Sequence, residues 1–350
     1  MEHVGMDLGK KESQIAILTE AGELIEKRMR TERDRLVAYF KDRPKAKILI
    51  EASTISEWVA RLLEELGHEV VVADPNYAPM YAQRSRRVKT DKRDALALAE
   101  ACKLGAYGPA HRTSDEQCHV RALLTVRDSL VRTRARWVTL AQAIVSREGF
   151  RVPTGSSGHF SERAERLELP EPLTAEIAPL LAMLAPGLNE QIGILDEKLG
   201  ELSRKDERVK RLMTMPEIGP VTAVAYVATL DGAGRFRGAH QVEAYLGLVL
   251  REWSSSEVQR RGHITKAGNS RMRWLLVEAA WRLATHKKRP ETQALREWAE
   301  RIARRRGQSV AMVALARKLS GILYAMWRDG SAYDPAKLKG ALRSKAEQVA

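Results

Sequence analysis

Between residues 86 and 99 the chain reads RRVKTDKRDALALA, a basic run followed by Asp91 and Asp94 at the head of an alanine- and leucine-rich helix. Residues three apart on an α-helix share a face about one turn apart, so both carboxylates can address one spot. Packed against further carboxylates, that spot suits a hard cation such as Mg2+, with Mn2+ as a substitute. Taken alone, the pair has a plainer use, with Asp91 capping the helix and Asp94 favoured near its positive end. Two more acids stand in unusual places: Asp7 lies inside the apolar run 3–9 (HVGMDLG), and Glu51 follows the run 46–50 (AKILI). Aspartate is depleted in strands and costly to bury unpaired. Four converging carboxylates suit two cations roughly 3.5 to 4 Å apart, which activate a nucleophile and stabilise a leaving oxygen in phosphoryl transfer.

The elements that must position these acids read as one α/β unit over residues 1–112. The runs 3–9, 14–19 and 23–30, with turn residues between them, predict three successive antiparallel strands. Residues 31–42 open with an N-cap and show helical spacing at Leu36, Val37 and Phe40. A buried strand at 46–50, an amphipathic helix at 55–66, a fifth strand at 69–73 and a helix at 94–104 follow. The order β-β-β-α-β-α-β-α is that of the ribonuclease-H-like fold. It places Asp7 midway along a central strand, Glu51 at the end of the strand beside it, and Asp91 and Asp94 on a helix crossing the sheet. Sugar-kinase and actin-like ATPases share the order and an Asp-x-Gly hairpin, here Asp7-Leu8-Gly9. They need a second such domain, and neither Asp231-Gly232-Ala233-Gly234 nor Asp329-Gly330 follows an apolar strand of the right kind. That reading ranks below the nuclease-like one.

Composition narrows the class. With 350 residues, 44% apolar and 30% charged, the chain has the make-up of a globular protein of two or three domains. Its formal charge is +14, and residues 251–350 carry 22 Lys and Arg against nine Asp and Glu, a net +13. A field of that sign attracts polyanions, above all nucleic acid. Cys102 and Cys118 give neither a disulfide framework nor a metal-ligand cluster. The first residues lack an apolar stretch of signal-peptide length. The expectation is a cytoplasmic, nucleoid-associated bacterial protein without a membrane partner.

Residues 113–210 predict a helical arm. Leu123, Leu130, Trp137 and Ile144 recur every seven residues within 114–147, with Val126 and Leu140 on a neighbouring line. Residues 148–159, with Pro153 and GSSG, read as an exposed turn or a mobile segment. Leu188, Ile192, Leu195, Leu199 and Leu202, continued by Val209, mark a second long helix. Two such helices make an antiparallel arm, a coiled-coil contact between protomers, or an ordinary helical domain.

Residues 211–350 predict a helical domain, so the fold class as a whole is α/β plus α. MTMPEIGPVTA at 213–223 has the cadence of a helix-hairpin-helix or of a plain helix-turn-helix packing unit, its Ile218-Gly219-Pro220 turn opening a helix. Residues 253–269, WSSSEVQRRGHITKAGN, are too polar for a core element and too basic for an inert loop. Helices at 271–284, burying Leu275, Leu276, Ala279 and Trp281 or their neighbours, at 290–306 and at 310–327 complete a bundle. His240, His263 and His286 have no partner at metal-ligand spacing and read as surface or phosphate contacts.

Asp7, Glu51 and KTDKRDA at 89–95, followed by a long helical insert and then PEIGPVTA and GHITKAGNSRMRWLLVEAAW, resemble the DEDD transposases of the insertion sequence 110 family, relatives of the Piv-type DNA invertases. The likeness runs in order from about residue 6 to 327. It implies a recombinase with an N-terminal RuvC-like domain (1–112), a coiled-coil region (113–210) and a C-terminal transposase domain (211–350). It implies Asp7, Glu51, Asp91 and Asp94 as ligands of Mg2+, and a serine that cuts and rejoins DNA through a covalent phosphoserine link. That serine aligns with Ser255, although position 256 is serine where glycine is common, which leaves Ser254 and Ser256 as alternatives. Nucleic-acid contacts then fall to Arg86, Arg87, Lys89, Lys92 and Arg93 beside the acids, and to Arg260, Arg261, Lys266, Asn269, Arg271 and Arg273 in the second block.

The resemblance also implies donor and target DNA chosen by a structured noncoding bridge RNA. Few aromatics, 5% in all, suit a protein that holds duplex backbones and leaves sequence choice to base pairing. Strand exchange needs several active sites, so a dimer assembling into a tetramer on DNA is expected. Two other readings remain open: a junction nuclease acting by hydrolysis, which needs no serine, and a nucleic-acid-binding scaffold without catalysis.

Overall fold

The computed structural model describes residues 1–81, 90–255, 258–286 and 288–337, with backbone alone for Tyr81, 253–255 and 258–261. The chain divides into two compact units, Met1–Thr113 and Ser114–Ala350.

The first unit is built on three antiparallel strands, β1 (Glu2–Leu8), β2 (Glu12–Leu18) and β3 (Leu24–Arg30). Helix α1 (Arg33–Phe40), strand β4 (Ala46–Glu51), helix α2 (Ser56–Glu65), strand β5 (Glu69–Ala73) and helix α3 (Asp91–Leu104) follow. The sheet order is β3-β2-β1-β4-β5, with β4 parallel to β1 and to β5. This mixed sheet with its helices is consistent with the expected ribonuclease-H-like domain. One face is an aliphatic core: Val4, Met6, Ile15, Ile17, Ile48 and Ile50 pack with Leu36 and Phe40 of α1 and Val59, Leu62 and Leu63 of α2. The other face receives α3.

Small residues let α3 come close. Gly5 pairs with Ala16 across β1 and β2 and with Leu49 of β4, and Ala16 packs with Ala95 and Ala99 of α3. A Cβ at Gly5 would lie 2.1 Å from the Ala95 carbonyl oxygen and 2.3 Å from the Ala99 nitrogen. Helix α3 runs antiparallel to β1: Cys102, near its end, lies 3.8 Å from His3 Nδ1 and donates its thiol to the Lys47 carbonyl at 3.4 Å. Burial pushes that thiol up to about 11. The first turn of α3 therefore faces the carboxyl ends of β1 and β4.

Among its described residues the second unit is helical apart from one hairpin and its connecting loops. It begins with α4 (Asp115–Arg147), followed by α5 (Phe160–Glu165), α6 (Glu171–Ala182) and α7 (Asn189–Lys205). Next come α8 (Glu207–Leu212), α9 (Pro220–Leu230) and α10 (Ala239–Tyr245). The hairpin strands β6 (Leu250–Ser255) and β7 (Val258–Ile264) precede α11 (Ser270–Thr285), α12 (Gln293–Arg306) and α13 (Gln308–Arg328). The main core gathers α9, nearly all of it buried, with the inner faces of α11 and α13; the Tyr226 hydroxyl donates to the Ser320 carbonyl at 2.7 Å. Helix α13 has the length and apolar content to cross a membrane, and its apolar side, including Leu315, Leu319 and Leu323, packs into this core.

Several expectations change. Asp7 is the sixth of seven residues in β1, near its end and not midway. The second long helix does not run to Val209: the Asp206 side chain accepts from the Arg208 amide at 2.8 Å and starts α8 as a new helix. Residues 148–159 are not a bare turn, because Val152 is buried with Phe160, Ala164, Ile177 and Leu181 in a separate core at the far end of α4. Val126 and Leu140 stand exposed, while Leu123, Leu130, Trp137 and Ile144 are half-buried. The polar stretch at 253–269 contains most of a β-hairpin, and Trp281 is exposed.

The Gly5 contact yields a prediction. Gly5→Ala forces a methyl group into α3 backbone and should destabilise the chain by about 3 kcal/mol or more, a loss at or above the upper end usual for overpacking. Thermal unfolding of the full chain should show a clearly lowered first transition; an unchanged melting curve would refute the contact.

Candidate active site

The site is built from strand ends and a helix start. In the parallel β1–β4 ladder Met6 is level with Ile50, so the next residues, Asp7 and Glu51, leave neighbouring strands side by side. Side chains alternate along a strand, so Asp7 shares the face of Gly5, and Glu51 that of Leu49, which packs with Leu98 of α3. Across the other ladder Asp7 pairs with Gln14, which is buried on the same face.

Helix α3 supplies the remaining acids. Its N-cap is Thr90, whose hydroxyl accepts from the Arg93 amide at 3.4 Å, so Asp91 is the first helical residue and not the cap. Asp94 precedes Ala95, the residue whose carbonyl meets Gly5, and is only 6% exposed. Asp91, one turn earlier, is exposed and lines a cleft of about 380 Å3 with Gln14, Glu26, Arg28, Thr90 and Lys92. Lys92 bonds Glu26 of β3 at 3.1 Å, tying the start of α3 to the sheet edge.

Thus Asp7, Glu51 and Asp94 belong to one face, at the end of the sheet where α3 begins. Among the described residues no three His, Cys, Asp or Glu side chains lie close enough together to hold a metal ion. The donor set of hard carboxylate oxygens on adjacent elements fits Mg2+ or Mn2+. Sequence reasoning missed Gly5, whose place two residues before Asp7 was the available signal, and Gln14.

The other candidates scatter. Arg86, Arg87 and Lys89 lie outside the described residues, and Arg93 is exposed on α3. In the second unit Ser254 and Ser255 end β6, opposite Gln259 and Val258, while Ser256 lies outside the described residues. Arg260 and Arg261 belong to β7, and Lys266 is exposed in a left-handed conformation with φ 57°. Asn269 caps α11, its side chain accepting from the Met272 amide at 3.0 Å and donating to Thr229 at 3.2 Å. Arg271 pairs with Asp128 of α4. Arg273 donates to the Leu246 and Ala267 carbonyls at 3.1 and 2.6 Å, and burial lowers its pKa. His286 bonds the Glu217 carboxylate at 2.8 Å in the turn before α9, and His240 bonds Glu243 at 3.2 Å, so both have protein partners.

The mixed sheet with acids at one end is consistent with a ribonuclease-H-like domain. Comparison with known proteins makes this specific. A DEDD transposase domain model of the IS110 group matches residues 4–147, and the model described as "Transposase IS116/IS110/IS902 family" matches residues 209–296. A probable family 20 transposase of Pseudomonas aeruginosa is 30% identical over 341 residues, covering 96% of this chain and 99% of the relative. The transposase of insertion sequence element IS1328 from Yersinia enterocolitica is 28% identical, over 94% and 98% of the two chains. That of IS1111A from Coxiella burnetii is 27% identical, over 92% and 88%. The chain belongs to the IS110/IS116/IS902 family of transposases, DNA-processing enzymes with an N-terminal DEDD domain. A DEDD domain implies use of a divalent cation.

If these acids bind the cation, Mg2+ at ten times its Kd should stabilise the first unit by about 1.4 kcal/mol. Asp7→Asn and Asp94→Asn should each abolish that increment while the variants still fold. An equal Mg2+-dependent shift in both variants would place the cation elsewhere.

Proposed function

We propose that this transposase cuts and rejoins DNA strands with Asp7, Glu51, Asp91 and Asp94 as the cation-binding acids and Ser255 as the nucleophile. The observation that carries the reading is the common position of Asp7, Glu51 and Asp94 at the start of α3, on a face closed around Gly5. The bound Mg2+ would lower the cost of negative charge on the attacking and leaving oxygens. A serine hydroxyl is a weak nucleophile and needs such activation.

In the proposed reaction the Ser255 Oγ attacks a DNA phosphorus and loses its proton to solvent. An Oγ–P ester forms, the bridging P–O bond to one strand end breaks, and the departing oxygen takes up a proton. The hydroxyl of a different strand end then attacks the same phosphorus and frees the serine, so bond energy is conserved through both steps. The position of Ser255 at the end of β6, at the tip of a hairpin, supports this role, since a tip can reach into a bound duplex. A RuvC-like first domain, a coiled-coil arm, a dimer assembling to a tetramer on DNA, and a guide RNA choosing donor and target complete the reading. The half-buried seven-residue line on α4 supports the arm, and the charge of +14 supports a nucleic-acid partner. The cytoplasm, beside the nucleoid, is the proposed location.

Ser255→Ala should abolish strand exchange and the denaturant-resistant protein–DNA adduct, a loss of at least about a thousandfold. A hydrolytic nuclease would keep cutting in that variant. Retained adduct in Ser255→Ala, lost instead in Ser254→Ala or Ser256→Ala, would move the nucleophile to a neighbour.

A further inference from the structure

Helix α11 turns Met272, Leu275, Leu276, Ala279, Ala280 and Leu283 into the core of the second unit. Its opposite face carries two tryptophans that the core does not use, Trp274 at 47% exposure and Trp281 at 37%. Seven residues apart, they lie on one stripe about 10.5 Å apart along the axis. Large exposed apolar groups on a shared stripe mark an interaction surface. The stripe is basic along one edge: Arg271 and Arg282 follow the tryptophans round the helix, with the half-buried Glu278 between them.

One platform is already organised. The Arg271 guanidinium carbon lies 4.6 Å from the centre of the Trp274 ring, and the Arg271 ion pair with the largely buried Asp128 fixes the guanidinium from the side of α4. Arg132 also bonds Asp128, at 2.9 Å, adding a second cation beside the first. An indole fixed by a cation, open to solvent and flanked by arginines, has the features of a base-stacking platform. The axial rise between the two residues, about three base-stacking steps of roughly 3.4 Å, leaves room for bases between them.

We propose that Trp274 and Trp281 form a stacking surface for single-stranded DNA, with the exposed Arg282 meeting its phosphates. DNA is the polymer this family processes, and residues 251–350 supply a complementary net charge of +13. Cutting and exchanging strands exposes unpaired bases, and indole faces hold such bases without regard to sequence. The surface uses neither the acids of the first unit nor Ser255, so it stands whichever serine makes the cut.

The test uses the full-length protein freed of copurifying nucleic acid and a fluorescein-labelled oligo(dT) of roughly 12 nucleotides, within the footprint of single-strand binders. Trp274→Ala and Trp281→Ala should each weaken oligo(dT) binding about five- to 150-fold, the effect of losing one stacked base. Trp274→Phe and Trp281→Phe, which keep a π-face, should retain most of the affinity. Duplex DNA binding should be unchanged, as should melting curves. Unaltered oligo(dT) affinity in both alanine variants overturns the proposal. So does an equal loss on duplex DNA, a loss confined to oligo(U), which assigns the surface to RNA, or a changed oligomeric state with unchanged DNA binding, which assigns it to protein. Should the alanine variants fail to fold, 5-iododeoxyuridine crosslinking of the unaltered protein decides: adducts on Trp274 or Trp281 support the surface, and adducts solely elsewhere overturn it.

Discussion

The first unit depends on the contact between the backbone of α3 and the backbone of β1 at Gly5. A side chain there would overlap the Ala95 carbonyl, and the alanines around it, Ala16, Ala95 and Ala99, keep the rest of the seam equally thin. Close approach sets the height of α3 above the sheet, and the antiparallel direction sets which end of α3 meets which end of β1. The Cys102–His3 and Cys102–Lys47 contacts fix the far end of the helix. Asp94, one residue before the contact, is therefore held at the edge where Asp7 and Glu51 emerge. A looser helix would leave Asp94 apart from Asp7 and Glu51, which the β1–β4 pairing holds side by side.

Acids brought to one edge of the sheet repel one another, and burying a carboxylate, as at Asp94 with 6% exposure, adds a desolvation cost that a counter-charge offsets. The helix N-terminus offsets part of it, because its unpaired amides and dipole favour negative charge. Thr90 takes over capping, which frees the Asp91 carboxylate from that duty. The ion pair of Lys92 with Glu26 anchors the same turn to β3, yet as an exposed pair it contributes little stability and acts chiefly on orientation.

Much of the first unit was legible in the sequence, because alternating apolar runs and amphipathic spacing report directly on burial. Strand order and the placement of Glu51 at a strand end followed from them. What periodicity does not report is the exact end of an element. Asp7 lies nearer the end of β1 than the run HVGMDLG suggested, and α3 begins at Asp91 because Thr90, one residue earlier, supplies the cap. The leucine spacing continues across Asp206 and so does not report the break there, where the local bond from Arg208 stops the helix. The β6–β7 hairpin was hidden because a two-stranded ribbon need not bury a face, and its sequence is accordingly polar. Trp281 looked like a core residue by type; its position on the helix, in line with Trp274, puts it outside. The likeness to known transposases located the candidate acids but carried no information on how α3 reaches them.

The most direct check on this account is anomalous diffraction from crystals of the full-length protein grown with Mn2+. The account predicts a manganese peak bonded to carboxylate oxygens of Asp7, Glu51 and Asp94 at about 2.1 Å, the distance expected for a small hard cation. A peak bonded elsewhere, or one held by Asp7 and Glu51 with Asp94 turned away, would contradict the claim that the Gly5 contact exists to bring α3 to the cation.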